Sequence, residues 1–309
     1  MKIVIRSNIA VEYLRFHNKN IKINKPNKGK VHKKAHKKWS CLPYAGETRK
    51  PIGIDPAAGS WPLYFMKRSR TGRFTTLDGK MIRLTIQHPD NIDFCKELSI
   101  VKRVLKNITC DQRKIAEYWG DGPPTKQWTP IIDRLVDTYN LSPAQSARVI
   151  AAVQAGMSDA LVITWFYKYL WDVPRPNQLD SKLITAICTP KFPAYPSGHS
   201  VISGTAEVIL SYFFPPEAER LKELAQENSI SRLYGGVHFP SDLNEGLRLG
   251  RQIGMLIVDI LKCQLDGNNN GIDRPSTQDL NARLHPHPYN QVIPYPSRVR
   301  SCNLPLLPE

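Results

Sequence analysis

Three short segments hold residues whose types and spacing suit one anion with four or five oxygens, such as phosphate or vanadate. The first is Lys168 followed by Arg175-Pro176. The second is Pro196-Ser197-Gly198-His199. The third is Ser231-Arg232, then His238, then Asp242. Together they supply three cations, two imidazoles, the Ser197 hydroxyl beside a glycine turn, and a carboxylate. Three cations in one pocket repel one another unless an anion neutralises them. The joint reading is therefore a bound oxyanion. Taken singly, each segment has a plainer role. Lys168 and Arg175 read as surface cations. Ser197 reads as an N-cap, and Asp242 with Glu245 matches a D-x-x-E capping pattern.

The two histidines divide the chemistry. One attacks or ligates the central atom and the other transfers a proton. Asp242, four residues after His238, can hold one imidazole nitrogen and so fix the tautomer of the other. Ser197 and Gly198 precede a helix, whose free N–H groups and positive dipole end favour an anion. Gly198 lets the backbone approach closely, and Ser197 adds a hydroxyl donor.

Helices must carry these residues. Apolar spacing predicts helices over residues 97–105, 111–119 and 130–139. Ser142-Pro143 is an N-cap and first-turn proline that opens a long helix. That helix should end before Pro174, with Lys168 near its C-terminal end and Arg175 just past the break. The next runs over 199–214 and is stopped by Pro215-Pro216. A polar amphipathic helix is expected over 217–227 and a last one over 242–262. Arg232 and His238 are expected in the Gly-rich loop Tyr234-Gly235-Gly236-Val237, just before the last helix. Gly246, Gly250 and Gly254 form a face open to close approach by a helix of the same chain or of a homodimer partner. Upstream, residues 73–76 and 81–86 flank Asp78-Gly79, a hairpin signal.

The 309 residues are 41% apolar and 23% charged, with a formal net charge of +16. Residues 1–38 hold twelve Lys/Arg and one acid, Glu12, so most of that charge belongs to a tail. The chain divides into a disordered basic arm (1–38), an irregular segment with a β-hairpin (39–92), a helical catalytic domain (93–265) and a Pro-rich tail packed on the body (266–309). The arm reads as a solvated tail, with nucleic-acid contact as its alternative. Six scattered cysteines without C-x-x-C spacing suggest reduced thiols. With no secretory signal and no stretch of 18 apolar residues, a cytoplasmic protein without a transmembrane segment is expected. Asp266-Gly-Asn268-Asn-Asn270-Gly271 copies half of a calcium loop but lacks its closing Glu, so it reads as a polar turn. His285-Pro-His287-Pro lacks the further ligands a metal needs.

The three segments resemble the signature motifs of the superfamily joining type 2 phosphatidic acid phosphatases, bacterial acid phosphatases and vanadium-dependent haloperoxidases. The match is close from Lys168 to Asp242 and weaker from about Lys114 to Gly254. The resemblance implies an all-α helical bundle of the vanadium haloperoxidase and acid phosphatase type, with the site in its core, beside the small β-ribbon and irregular tails. It implies that Lys168, Arg175, Ser197, Gly198 and Arg232 bind the oxyanion's oxygens and that His199 is the acid/base. It makes His238 the phosphatase nucleophile or the vanadium ligand, oriented by Asp242. The run from Phe192 to His199 looks like the chloroperoxidase form of the second motif. Trp165 and Phe192 would then line a halide pocket; core packing is the plainer role of both.

The expected function is a vanadate-dependent haloperoxidase, with peroxide and halide as substrates and vanadate as cofactor. The alternative is an acid phosphatase that hydrolyses phosphomonoesters through a phosphohistidine, without a cofactor. The third reading is a non-catalytic binding protein acting through the basic arm.

Overall fold

The computed structural model describes residues 36–70, 72–284 and 288–294. Two short strands, β1 (Lys67–Arg68) and β2 (Phe74–Thr75), precede the helices. These are α1 (Phe94–Lys106), α2 (Cys110–Gly120), α3 (Trp128–Thr138), α4 (Pro143–Trp171), the single turn α5 (Pro176–Leu179), α6 (Gly198–Phe213), α7 (Ala218–Tyr234) and α8 (Pro240–Lys262). The fold is all-α, as expected. The basic arm up to residue 35, His285, His287 and the end of the tail lie outside the described residues.

Local sequence sets the helix starts. Asp93 caps α1 by accepting from the Lys96 amide at 3.0 Å. Thr109 with Gln112, and Ser142 with Gln145, form reciprocal capping boxes for α2 and α4. Helix α4 ends at Asp172, whose left-handed φ of 55° turns the chain toward Pro174.

Helix α6 lies at the centre, packed on α4, α7 and α8. The glycine face of α8 meets it within the same chain. A Cβ on Gly250 would lie 2.0 Å from the Val201 carbonyl oxygen, and one on Gly246 would lie 2.7 Å from Ser200 Cβ. Those glycines let the two backbones touch. The homodimer alternative for this face is therefore not needed: α6 covers it.

Helix α7 runs to Tyr234, about two turns past the expected end at 227. Polar residues beyond that point make buried interhelical hydrogen bonds, which carry the helix on. Asn228 Nδ2 donates to Ser203 Oγ at 2.7 Å, and the Ser229 and Ser200 hydroxyls lie 2.8 Å apart. Arg232 thus sits on a helix, not in the Gly-rich loop. The hairpin also shifts: β1 pairs with β2 across residues 69–73, and the turn at Asp78-Gly79 closes only one bridge, Thr75 to Met81.

The flanks are tied to the helices. Asp159, buried in α4, accepts the amides of Tyr64 and Phe65 at 2.7 and 2.8 Å. Buried Glu217 accepts from Tyr139 Oη and the Ala282 amide, which fixes part of the tail. Asp266 Oδ1 accepts the amides of Asn268 and Asn270, so its loop is a polar turn closed on itself. Cys188 is disulfide-bonded, a correction to the expectation of reduced thiols, since spacing along the chain does not report proximity in space. Cys41, Cys95, Cys110 and Cys263 are free. The stretch Pro143–Leu179 is long and apolar enough to cross a membrane by composition, against the expectation of no such stretch; 56% of its most apolar window is buried within the fold.

Candidate active site

The C-terminal end of α4, the turn into α5, the N-terminus of α6, the end of α7 and the start of α8 meet in one place. Lys168, Arg175, His199, Arg232, His238 and Asp242 are all buried there. Lys168 Nζ donates to the carbonyls of Pro193 and Ala194, each at 2.7 Å, which uses two of its three donors. Arg175 Nε donates to the Phe192 carbonyl at 3.0 Å, and its Nη1 to the Val237 carbonyl at 2.8 Å. Arg232 Nη2 donates to the Ala116 carbonyl and its Nε to Ser231 Oγ. The second motif is tied to the third by the Ser197 amide, which donates to the Asp242 carbonyl at 3.0 Å.

These contacts settle the tautomers. Arg175 Nη1 also lies 3.0 Å from His238 Nε2. A guanidinium only donates, so Nε2 carries the lone pair and Nδ1 the proton. That proton goes to Asp242 Oδ2 at 2.7 Å. The same oxygen accepts the Phe239 amide at 3.0 Å. Asp242 therefore both orients His238 and serves the first turn of α8; it is not the N-cap, because the helix already begins at Pro240. Glu245, the other half of the expected capping pattern, accepts the Gln87 amide instead. His199 Nε2 lies 3.0 Å from the Trp119 carbonyl, so it carries the proton and Nδ1 the lone pair.

Burial shifts every group, and the neighbouring cations add to it at both histidines. His238 is held well below its ordinary value by burial, then by Arg175 and Lys168. His199 is lowered in the same way by burial and by Arg232. Both imidazoles are neutral. Burial lowers Arg232 to about 9 and Arg175 to about 10, and it pushes Lys168 well down. The Asp242 carboxyl is raised to about 7, chiefly by burial.

The residues fit an oxyanion. Three buried cations outnumber the two buried carboxylates nearby, Asp242 and Glu97. Arg175 Nη2 is buried without a partner, and a buried orphan donor implies an acceptor. Ser197 caps α6 through its oxygen, which leaves its hydroxyl proton to donate. A Cβ on Gly198 would make only ordinary contacts, the nearest at 3.7 Å to Trp165. Protein packing therefore does not explain the glycine, whereas an anion on the backbone would.

Trp165 and Phe192 flank the cage. Their ring centroids are 4.8 Å apart. The Phe192 ring lies under both Lys168 Nζ, at 5.2 Å, and Arg175 Cζ, at 5.1 Å. Both aromatics are half-buried, which sets them apart from the core. Sequence reasoning missed Gln178, whose side chain accepts from the Arg175 amide at 2.8 Å. The signal was present: Gln178 stands three residues after Arg175, across Pro176, in capping-box spacing. It also missed the Trp119 carbonyl, for which a backbone contact leaves no sequence trace.

Residues 149–263 match the family model of the PAP2 superfamily. The fold is similar to the structure of a bacterial vanadium-dependent iodoperoxidase, with a TM-score of 0.55 and 25% identity, over 71% of this chain and 60% of that one. An apo-type bacterial vanadium-dependent chloroperoxidase gives a TM-score of 0.55 at 13% identity, over 79% of this chain and 66% of that one. A holo-type one gives 0.52 at 13% identity, over 68% and 55%. At such identity the chloroperoxidases speak for the fold alone. The chain spans about 60% of the length of the iodoperoxidase it matches. No curated protein matches it. Residues 149–263, with the three segments inside them, match the PAP2 superfamily, and the helical body that holds them resembles the vanadium-dependent haloperoxidases.

Proposed function

We propose that the chain is a haloperoxidase that oxidises halide with hydrogen peroxide at a vanadate held by His238. The observation that carries this reading is the aromatic flank of the cage: Phe192 under Lys168 and Arg175, packed on Trp165. A soft, weakly hydrated halide gains from a polarisable wall beside buried cations. The 25% identity to an iodoperoxidase supports the same reading.

His238 Nε2 would hold the vanadium, with Asp242 fixing its tautomer from Nδ1. Lys168, Arg175, Arg232, Ser197 and the Gly198 amide would hold the oxygens. Bound vanadate supplies a Lewis-acidic centre that activates peroxide without changing its own oxidation state. Arg175 Nη1, now on His238 Nε2, would turn to an oxygen of the anion. His199 Nδ1 would take a proton from incoming peroxide.

A second reading is favoured by the unprotonated Nε2 of His238, which would become a phosphoryl acceptor once Arg175 Nη1 turns from it to the anion. Its lone pair would form the N–P bond while the P–O bond to the alcohol breaks. Protonated His199 would give its Nδ1 proton to the leaving oxygen. Water would then cleave the N–P bond and return a proton to His199. The bound dianion must first raise His199 by offsetting the cations that hold it low. Binding through the basic arm alone leaves the buried cage without a role.

Purified protein given orthovanadate, peroxide and bromide or iodide should halogenate a phenolic dye. Hydrolysis of p-nitrophenyl phosphate, without halogenation at any vanadate concentration, would overturn the haloperoxidase reading in favour of the phosphatase.

A further inference from the structure

Residues 39–61 form a strap that crosses the two loops on either side of the cage. The Trp39 amide donates to the Asp172 carbonyl at 2.8 Å, and Ser40 Oγ donates to Asp172 Oδ2 at 2.6 Å. The Ala45 amide donates to the Asn177 carbonyl. Tyr44, buried, accepts from Trp39 Nε1 at 2.7 Å and donates to the Pro190 carbonyl at 2.9 Å. Farther along, the Ile54 amide donates to the Lys191 carbonyl, and the Ile54 carbonyl accepts from Tyr169 Oη at 2.7 Å. The strap therefore touches the loop that carries Arg175 and the loop that carries Phe192. It lies outside the 149–263 domain.

One side chain joins the strap to the cage. Gln178 is 7% exposed, and its amide is fully engaged. Its Oε1 accepts the Arg175 amide at 2.8 Å. Its Nε2 donates to the carbonyls of Trp39, at 3.0 Å, and Leu42, at 2.7 Å. A primary amide has two N–H donors, and both are used on the strap. Arg175 is the cation with the most to lose from a small displacement, because one of its nitrogens touches His238 Nε2 and another is a buried orphan. We propose that Gln178 is a positioning residue for the oxyanion site, holding Arg175 in register by anchoring its backbone to the strap. The strap is then part of the working site rather than an irregular leader. This inference rests on the oxyanion reading of the cage.

The test is oxyanion binding by calorimetry, with orthovanadate and inorganic phosphate as probes, on the full chain. Gln178→Met keeps the volume and removes both functions of the amide. Tyr139→Phe is the matched control: it removes a hydrogen bond to Glu217, away from the cage. Circular dichroism and urea midpoints report folding for both. Gln178→Met should weaken binding roughly ten- to hundredfold, while Tyr139→Phe should bind as the wild type does. Gln178→Asn, which shortens the amide by one methylene, keeps the chemistry but breaks the reach, and should weaken binding similarly. Unchanged binding in both Gln178 variants overturns the proposal. Equal losses in Gln178→Met and Tyr139→Phe also overturn it, because they would show a purely structural effect. Wild-type protein that binds neither anion would instead overturn the oxyanion site, and this inference with it.

Discussion

At the scale of single residues, the site holds two neutral imidazoles among buried cations. His238 has a folded-state pKa below its ordinary 6.5 because burial, Arg175 and Lys168 disfavour its proton. A depressed value means the nucleophilic form persists as pH falls. The acid limb that belongs to His238 should therefore lie below pH 6.5, and it is read in Asp242→Asn, where the carboxyl raised to about 7 no longer titrates; a limb at or above 6.5 in that variant would contradict the depressed imidazole. Asp242→Asn removes the charge that fixes the His238 tautomer and should lower turnover roughly 10- to 100-fold, with the helical circular dichroism signal unchanged. Trp165→Ala should weaken halide use, read as a higher KM for bromide or iodide, and leave orthovanadate affinity as it was. The cage residues were legible in the sequence because chemistry dictates their types: only a few side chains can donate to an anion or ligate its centre. The partners of those residues were less so. Trp119, Val237, Pro193 and Ala194 contribute backbone carbonyls, which any residue could supply.

At the scale of elements, two glycines have opposite reasons. Gly250 is required by packing: a Cβ there would meet the Val201 carbonyl oxygen at 2.0 Å. Gly250→Ala should destabilise the fold by about 1–3 kcal/mol or more, seen as a lower urea midpoint. Gly198 is not required by packing, since its Cβ would find only ordinary contacts. Gly198→Ala should keep the urea midpoint and lose oxyanion affinity. A stable Gly250→Ala or a fully binding Gly198→Ala would contradict these assignments. The helix starts could be read because caps are local: Thr109 with Gln112 and Ser142 with Gln145 are each three residues apart. The end of α7 could not, because Asn228 and Ser229 find partners on α6 that sequence proximity does not reveal. The strap escaped notice for the same reason: it is held by contacts more than a hundred residues away along the chain.

At the scale of the whole molecule, the cage is a charge imbalance built into the core. Lys168, Arg175 and Arg232 have folded-state values below their ordinary ones, so at neutral pH each opposes folding until an anion is present. An oxyanion that binds only the folded chain must therefore stabilise it, by about 2.7 kcal/mol at a hundred times its Kd. The measurement that bears most directly on the account is a calorimetric titration of the wild-type chain with orthovanadate, alongside His238→Ala and Arg175→Ala. The wild type should show one saturable site per chain, greatly weakened in both variants. No binding by the wild type, or equal binding by all three proteins, would contradict it.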